Sequence, residues 1–208
     1  EAWLTGGATQ CSVARIQRDA TGWCLLDADD QTIRRADCVI VATGAGTTAL
    51  LPALPLQPVR GQAEVVSGLM PPAPVAWGGY AIPTSDGMLF GATHDRDDTE
   101  TDIRPGDTGR NLATLAARFP ALADRVGQGP FLSRAATRAT TPDRLPCAGR
   151  RDQGLFLLGG LGSRGFCLAP LLAEHIVAQV LDRPSPLPDA VARRFDPRRC
   201  APPTGTGL

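Results

Sequence analysis

Short apolar segments separated by polar turns fill the beginning of the chain. The alternation predicts strands over 11–16, 23–26 and 36–42, arranged as a β-meander. The run 38–42 is apolar throughout, which is typical of a strand covered on both faces. It leads into the glycine turn at 43–46, and α/β proteins place ligands where a buried strand enters such a turn.

The centre of the chain has a different pattern. A proline-rich linker is predicted at 51–58, followed by alternating segments at 62–66, 80–83 and 88–91 that indicate an antiparallel sheet. Apolar residues recur at helical spacing over 107–119. Asp107 or Thr108 is the expected N-cap of this helix and Pro120 its stop, and we expect the helix to pack on the sheet.

A second buried strand is predicted at 155–158, and a glycine-rich loop at 159–165 follows it. A helix over 166–181 comes next, with Pro170 in its first turn and an extended segment after Asp182. Glycines before a helix can seat a phosphate or the electron-rich edge of a ring, or can form only a tight turn. The pattern alone favours neither, and the spacing matches no standard nucleotide motif.

Composition and charge narrow the class of protein. The 208 residues are 43% hydrophobic, enough for a core, and no run approaches the roughly 20 apolar residues of a membrane helix. The start shows no export signal, so a soluble cytoplasmic protein is expected. Because 21 basic residues balance 21 acidic ones, composition neither indicates nor excludes RNA as a partner.

Cysteine and histidine usage argues against a metal site. The six cysteines are scattered without a C-x-x-C pair, and only two histidines, His94 and His175, are present. We therefore expect no bound metal and free thiols rather than a disulfide framework. His175 lies beside the apolar stripe of the last helix and is expected to be packed, and the acidic run 95–102 to be a solvated loop.

Two polar side chains stand out as candidate ligands for a substrate. Arg138 follows the apolar segment 131–136, where its guanidinium can hold a carboxylate, although such an arginine is more often on the surface. Tyr80 is the one tyrosine, and it either points into a pocket or fills a core.

Four ordered blocks carry a resemblance to a known family: 39–44, 58–62, 138–146 and 159–166. Together they resemble the D-amino-acid oxidase and glycine oxidase family. Within it, the likeness extends to the oxidase domains of bifunctional enzymes that modify the tRNA wobble uridine, through 169–174 and 194–198.

The resemblance implies a cofactor, a reaction and a partner. The cofactor is FAD, and the reaction is oxidation of the secondary amine in the carboxymethylaminomethyl group of a tRNA wobble uridine, followed by hydrolysis of the imine. In such enzymes a separate domain then methylates the freed amine with S-adenosylmethionine. The implied substrate-binding residues are Arg138, Tyr80 and Arg164. The implied cofactor-binding residues are Ala42, Thr43, Gly44, Gly160, Gly162, Ser163, Arg164, Gly165 and Phe166. No side chain is assigned as a catalytic base, since the flavin itself takes the electrons.

The implied fold is a mixed α/β flavoprotein. An incomplete Rossmann-like FAD-binding region is expected at 1–52 and 140–208, and an antiparallel substrate-binding subdomain with a packed helix at 53–139. The first βαβ unit, which carries the family's glycine fingerprint and ribose-binding acidic residue, is expected upstream of Glu1, as is the methyltransferase region. Two alternatives remain open at this stage: a free-standing glycine or D-amino-acid oxidase, and a non-catalytic fragment unable to hold FAD.

Overall fold

A computed structural model describes residues 8–71, 73–127 and 129–200. The elements group into two units. We call the residues up to Leu56 and from Thr140 onward the terminal unit, and Gln57–Ala139 the central unit. Within the described ranges, no helix is both long and apolar enough to cross a membrane. The mixed α/β architecture expected from the sequence is confirmed.

The terminal unit contains a three-stranded meander, as expected, but its first strand begins at Arg15 rather than at Cys11. Its three antiparallel strands are β1 (Arg15–Asp19), β2 (Gly22–Leu26) and β3 (Thr32–Ala36). The Asp19 carboxylate accepts hydrogen bonds from the backbone N–H groups of Thr21 and Gly22, at 2.7 and 3.1 Å, and so holds the first turn. The single strand expected over 36–42 is wrong, because β3 ends at Ala36 and the following apolar residues join another sheet.

The strands of that second sheet are β4 (Val39–Val41), β11 (Cys147–Asp152) and β12 (Leu155–Gly159). Their order in the sheet is β11-β12-β4, and β12 pairs with β4 in parallel. Side chains of β12 alternate between two cores: Phe156 packs with Leu172 and Ile176 of helix α4 (Gly165–Val180), and Leu157 packs with Trp23 and Val41. Ile40 is 46% exposed, so β4 is not covered on both faces as its apolar run predicts.

Two expectations about the end of the chain are wrong. Pro170 is the sixth residue of α4, beyond its first turn, so the carbonyl of the fully exposed Phe166 has no helical N–H partner. The segment after Asp182 is not extended throughout, because it forms helix α5 (Asp189–Phe195) and a 3-10 turn (Pro197–Cys200). The remaining helix of this unit is α1 (Thr47–Leu50), preceded by a 3-10 turn (Gly44–Gly46).

The central unit is built on one six-stranded sheet. Its strands are β5 (Gln57–Ser67), β6 (Val75–Ala76), β7 (Tyr80–Pro83), β8 (Gly87–Gly91), β9 (Asp95–Arg96) and β10 (Leu132–Thr140), whose last residue belongs to the terminal unit. Their order is β10-β5-β8-β7-β6, with β9 also paired to β5. The pairs β5-β8, β8-β7 and β7-β6 are antiparallel, as the sequence predicts.

Helices α2 (Pro105–Arg118) and α3 (Pro120–Val126) pack on this sheet. Leu115 and Val126 share a core with Met88 and Phe90. The predicted N-cap of α2 is wrong: the helix begins at Pro105, and Asp107 lies buried inside its first turn.

Asp107 is buried because it belongs to a polar network between α2 and β5. Arg60, Gln62 and Glu64 occupy every second position of β5, so their side chains share one face of the strand, and all three are fully buried. Arg60 is paired with Asp107. Glu64 accepts hydrogen bonds from Gln62 and from Thr108, each at 3.0 Å. Side chains alternate along a strand, so this network fastens one face of β5 to the helix.

Candidate functional site

The parallel pairing of β4 and β12 brings two predicted groups of residues to one edge. Val39 lies opposite Leu155 and Val41 opposite Leu157, so both strands end at the same side of the sheet. Ala42, Thr43 and Gly44 follow β4, and the loop 160–166 follows β12. The carboxyl ends of parallel strands are where α/β sheets bind ligands, so the edge is a candidate site.

On the β4 side the edge is open and its support is polar. Gly44 has φ +58°, and a Cβ there would meet no atom within 4 Å. The hydroxyls of Thr43 and Thr47 are 3.1 Å apart, and Thr47 is fully buried. A Cβ at Gly159, the last residue of β12, would lie 3.8 Å from the Thr47 hydroxyl. Thr47 therefore packs between the ends of the two strands.

On the β12 side the loop path requires glycine at position 160. Gly160 has φ +64°, and a Cβ there would lie 2.8 Å from the Thr141 methyl and 3.7 Å from the backbone nitrogen of Cys147. Gly162 also has positive φ, +55°, but a Cβ there would make only ordinary contact, 3.5 Å from the Thr140 hydroxyl. Position 160 thus combines a left-handed backbone with a close approach to the neighbouring segment.

The loop ends at the N-terminus of α4, which is open to a ligand. Helix α4 begins at Gly165, and no described side chain caps its first turn. Phe166 is fully exposed beside it. The absence of a side-chain cap among the described residues and the positive end of the helix dipole favour an anionic or electron-rich group at this position. The predicted ligand residues Ser163 and Arg164 are exposed at the same loop.

Arg164 is engaged in holding a neighbouring turn. Its guanidinium donates to the carbonyl oxygen of Arg144, a residue with φ +60°. Thr140, just before this turn, forms a bridge with Leu161 of the loop. The role of Arg164 toward a cofactor or substrate remains a prediction.

Asp143 is the centre of the same turn. Its carboxylate accepts hydrogen bonds from the Thr141 hydroxyl at 2.8 Å, the Leu145 N–H at 3.0 Å and the Arg199 guanidinium at 3.0 Å. The Arg199 hydrogen bond, more than the others, lowers the pKa of Asp143 from 3.8 to about 2. Arg199 thus ties the end of the described chain to the turn beside the glycine loop.

The depressed pKa of Asp143 predicts an acid-dependent stability. The carboxylate stabilises the folded chain fully above its ordinary pKa of 3.8, and the stabilisation is lost as the pH falls through about 2. We expect Asp143→Asn to lower the thermal midpoint near neutral pH, with the difference from wild type vanishing as the pH approaches about 2. Asp124→Asn, at an exposed position of α3, is the control. A constant difference across the acid range would refute the assignment.

The central unit holds the candidate carboxylate ligand, Arg138. Its Nη1 atom is buried and has no hydrogen-bond partner. The guanidinium lies against the backbone of Gly61, where a Cβ would be 2.6 Å from Cζ and would collide with both terminal nitrogens. Gly61 faces away from the polar network of Arg60 and Gln62. A buried donor without a partner, on a charged group, is a position where an anion would bind.

Tyr80 is near Arg138, in the same unit. The phenol is half-buried on β7, and burial raises its pKa above the ordinary 10, while the positive charge of Arg138 offsets part of the rise. The hydroxyl therefore keeps its proton at neutral pH and can donate a hydrogen bond. The charge of Arg138 thus acts on the pKa of Tyr80 within the central unit, whereas Arg164 belongs to the terminal unit.

The other titratable candidates have structural partners. His175 is buried, with its ring nitrogens 2.7 Å from the Ser185 hydroxyl and 3.0 Å from the Gln179 amide, and burial lowers its pKa. His94 is exposed. Asp95, in the acidic run, forms a two-point ion pair with Arg110, at 2.9 and 2.7 Å, so part of that run is fastened rather than solvated.

Sequence reasoning did not select three of the residues that shape these sites. The role of Thr47 depends on its burial, and that of Asp143 on its ion pair with Arg199, 56 positions away in sequence. No sequence pattern marks either residue. Gly61 did give a signal, because a glycine inside an alternating strand often marks a close approach by a side chain or ligand.

Comparison with known proteins identifies relatives of this arrangement. Residues 8–179 match the family model described as FAD dependent oxidoreductase. The chain is 59% identical over 200 residues to the tRNA 5-methylaminomethyl-2-thiouridine biosynthesis bifunctional protein of Caulobacter vibrioides, covering 94% of this chain and 34% of the relative. It is 41% identical to the protein of the same name from Maricaulis maris, over 83% of this chain and 29% of the relative. The chain therefore spans about a third of the length of these relatives.

Solved structures show the same fold. Glycine oxidase from Geobacillus kaustophilus superposes with a TM-score of 0.75 at 24% identity, over 89% of this chain and 51% of the other. Iminodiacetate oxidase from Chelativorans sp. gives a TM-score of 0.70 at 23% identity, over 88% of this chain and 52% of the other.

Proposed function

The chain belongs to the family of FAD dependent oxidoreductases, and from that premise we propose that it is the oxidase part of a tRNA-modifying enzyme. The proposed reaction removes the carboxymethyl group from carboxymethylaminomethyl-2-thiouridine at the tRNA wobble position. Support comes from relatives named for the biosynthesis of 5-methylaminomethyl-2-thiouridine in tRNA, at up to 59% identity. The chain spans a third of the length of these relatives. We therefore propose the methylation of the freed amine only for a longer protein that also contains the separate methyltransferase domain.

The edge formed by β4 and β12 fits the cofactor. Gly44 leaves open space, glycine at 160 keeps the loop close to its neighbours, and no described side chain caps the N-terminus of α4. These residues, with Thr43 and the exposed Ser163 and Phe166, would hold FAD at its electron-rich ring edge. When bound, FAD supplies the two-electron oxidation of the C–H bond beside the substrate nitrogen.

The buried Nη1 atom of Arg138, which has no hydrogen-bond partner, is the observation that carries the substrate proposal. A carboxymethylamino group ends in a carboxylate, and Arg138 Nη1 is a buried donor without a partner. The planar fork of the guanidinium suits a carboxylate, and Gly61 leaves room for the fork against the strand. The protonated Tyr80 hydroxyl donates a further hydrogen bond to the bound acid group. Both residues orient the substrate without accepting its proton.

The proposed reaction balances in two steps. The carbon between the amine and the carboxylate loses a hydride and the nitrogen a proton, which leaves an imine. Water adds to the imine and the C–N bond breaks, releasing glyoxylate and the aminomethyl group on the uridine. The carboxylate held by Arg138 leaves with the glyoxylate.

Removing the Arg138 guanidinium should weaken the binding of the transition state that forms from the carboxylated substrate. We expect Arg138→Ala to lower kcat/KM by a factor of about 10 to 150, since a hydrogen bond to a charged group contributes about 1.5–3 kcal/mol. Arg134→Ala is the matched control, because Arg134 lies on the same strand and is exposed. Steady-state kinetics of both variants with added FAD measure the effect, and equal values for the two would remove Arg138 from the site.

Nucleoside analysis of treated tRNA tests the proposed reaction itself. Transfer RNA that carries carboxymethylaminomethyl-2-thiouridine is incubated with the protein and FAD, digested, and analysed by liquid chromatography and mass spectrometry. We expect conversion to aminomethyl-2-thiouridine with an equal amount of glyoxylate. Turnover of glycine or a D-amino acid with unmodified tRNA would instead favour the free-standing amino-acid oxidase.

A further inference from the structure

The last described segment brings two thiols together inside the terminal unit. The Sγ atoms of Cys147 and Cys200 are 3.0 Å apart. Cys147, the first residue of β11, is fully buried, and Cys200 is 8% exposed. All six cysteines are free thiols. Among them, this is the one described pair whose sulfur atoms are in contact.

Arg199 and a hydrophobic core hold the two cysteines in place. The Arg199 guanidinium donates to the carbonyl oxygen of Leu145 at 2.7 Å and to Asp143 at 3.0 Å, so the segment Pro197–Cys200 is anchored on the turn before β11. The two cysteines belong to one apolar core with Trp23, Val41, Leu54, Leu155 and Leu157. The approach of the sulfur atoms is thus set by packing on both sides.

We propose that Cys147 and Cys200 form an oxidisable dithiol, which a small-molecule disulfide such as oxidised glutathione converts into an intramolecular disulfide. The exchange balances: two cysteine thiols and one disulfide give one protein disulfide and two small thiols. Two electrons pass from the cysteine sulfurs to the oxidant, and the two thiol protons end on the released thiols. The sulfur atoms need to approach by only about 1 Å to reach bonding distance.

The burial of the two residues sets the order of the steps. Cys200, which at 8% exposure is the less deeply buried of the two, attacks the oxidant first, and one small thiol leaves. Cys147 then attacks the sulfur of Cys200, and the second small thiol leaves. Burial raises the pKa of Cys147, which slows this second step, while the adjacent Arg199 guanidinium, 3.6 Å from its sulfur, favours the thiolate. The two sulfur atoms are already in contact, and this proximity offsets the slower attack by Cys147.

The cross-link would fasten the C-terminal segment to the strand beside the glycine loop. It joins residues 53 positions apart, so it restricts the unfolded chain. We expect oxidation to raise the thermal midpoint by about 5 °C or more. The device does not require FAD, so its test is independent of the proposed function.

Peptide mapping in a graded glutathione redox buffer tests the proposal. After acid quenching, remaining thiols are alkylated in denaturant and the protein is digested with trypsin, which cuts after Arg144, Arg150 and Arg199. We expect residues 145–150 and 200–208 to appear as one linked species, lighter than the two reduced peptides by two hydrogens. This species should form at a lower fraction of oxidised glutathione than any link that involves the exposed Cys11, Cys38 or Cys167.

Two variants make the test specific. Cys200→Ser should abolish both the linked species and the rise in thermal midpoint, whereas Cys167→Ser, at an exposed position of α4, should leave both unchanged. If Cys200→Ser fails to fold, the peptide map of the wild-type protein tests the proposal by itself. Recovery of Cys147 and Cys200 as separate alkylated peptides, or of Cys200 only as a lasting mixed disulfide with glutathione, would overturn the proposal.

Discussion

Replacing Asp107 with alanine should destabilise the central unit by about 3–5 kcal/mol, because it leaves a buried guanidinium without its counter-ion. Arg60 is fully buried, and its Nε already lacks a hydrogen-bond partner. Asp107 is the carboxylate directly paired with it, whereas Asp95 is 3.9 Å away. The whole stability of a domain is about 5–15 kcal/mol, so the loss is a large part of it.

Denaturant unfolding monitored by hydrogen exchange in β5 measures this loss. Asp98→Ala is the matched control, because Asp98 forms an ion pair with Arg104, whose side chain is 36% exposed. Exposed ion pairs contribute about 0–1 kcal/mol to stability. The double variant Arg60→Met with Asp107→Leu should recover much of the stability, since it removes both charges. A loss for Asp107→Ala no larger than for Asp98→Ala would show that the network does not fasten β5 to α2.

Replacing Gly160 with valine should abolish FAD binding. Valine at φ +64° costs about 1–3 kcal/mol in backbone strain, and its Cβ would collide with the Thr141 methyl, 2.8 Å away. The loop must then move away from the turn at 140–146, which displaces the start of α4. Flavin content and circular dichroism of the purified variant separate a displaced loop from a lost fold.

A second glycine provides the control for this prediction. Gly109 in α2 has no neighbour within 4 Å of a Cβ and no positive φ, so Gly109→Ala should leave flavin binding unchanged. It should also stabilise the helix by about 0.5–1 kcal/mol. Normal flavin content in Gly160→Val would remove the glycine loop from the cofactor site.

The fold follows from the sequence where local signals agree and fails where distant partners decide. The sequence predicts strand β7, Tyr80–Pro83, with its observed bounds, because alternation and flanking turns coincide there. The sequence places the start of α2 at Asp107 or Thr108, rather than at Pro105, because both are residues that favour N-caps. They instead bind Arg60 and Glu64, more than 40 positions away in sequence, and no local pattern shows this.

The same distinction applies to the candidate sites. The sequence predicts the glycines at 160 and 162 as site residues, because a strand, a glycine run and a helix follow one another. It does not predict the burial of Arg138 Nη1, because this depends on the close approach of the guanidinium to Gly61 on another strand. Likewise, the contact of Cys147 with Cys200 arises from the fold of a segment that proline and arginine content predicts as extended.

An equilibrium titration of FAD with the purified chain, followed by flavin fluorescence, tests the central claim most directly. We expect the edge formed by Thr43, Gly44 and the loop 160–166 to hold the flavin. We predict a saturable change of flavin fluorescence that is retained in Gly109→Ala and lost in Gly160→Val. Flavin fluorescence that stays unchanged at saturating protein, for a chain shown to be folded by circular dichroism, would contradict the account.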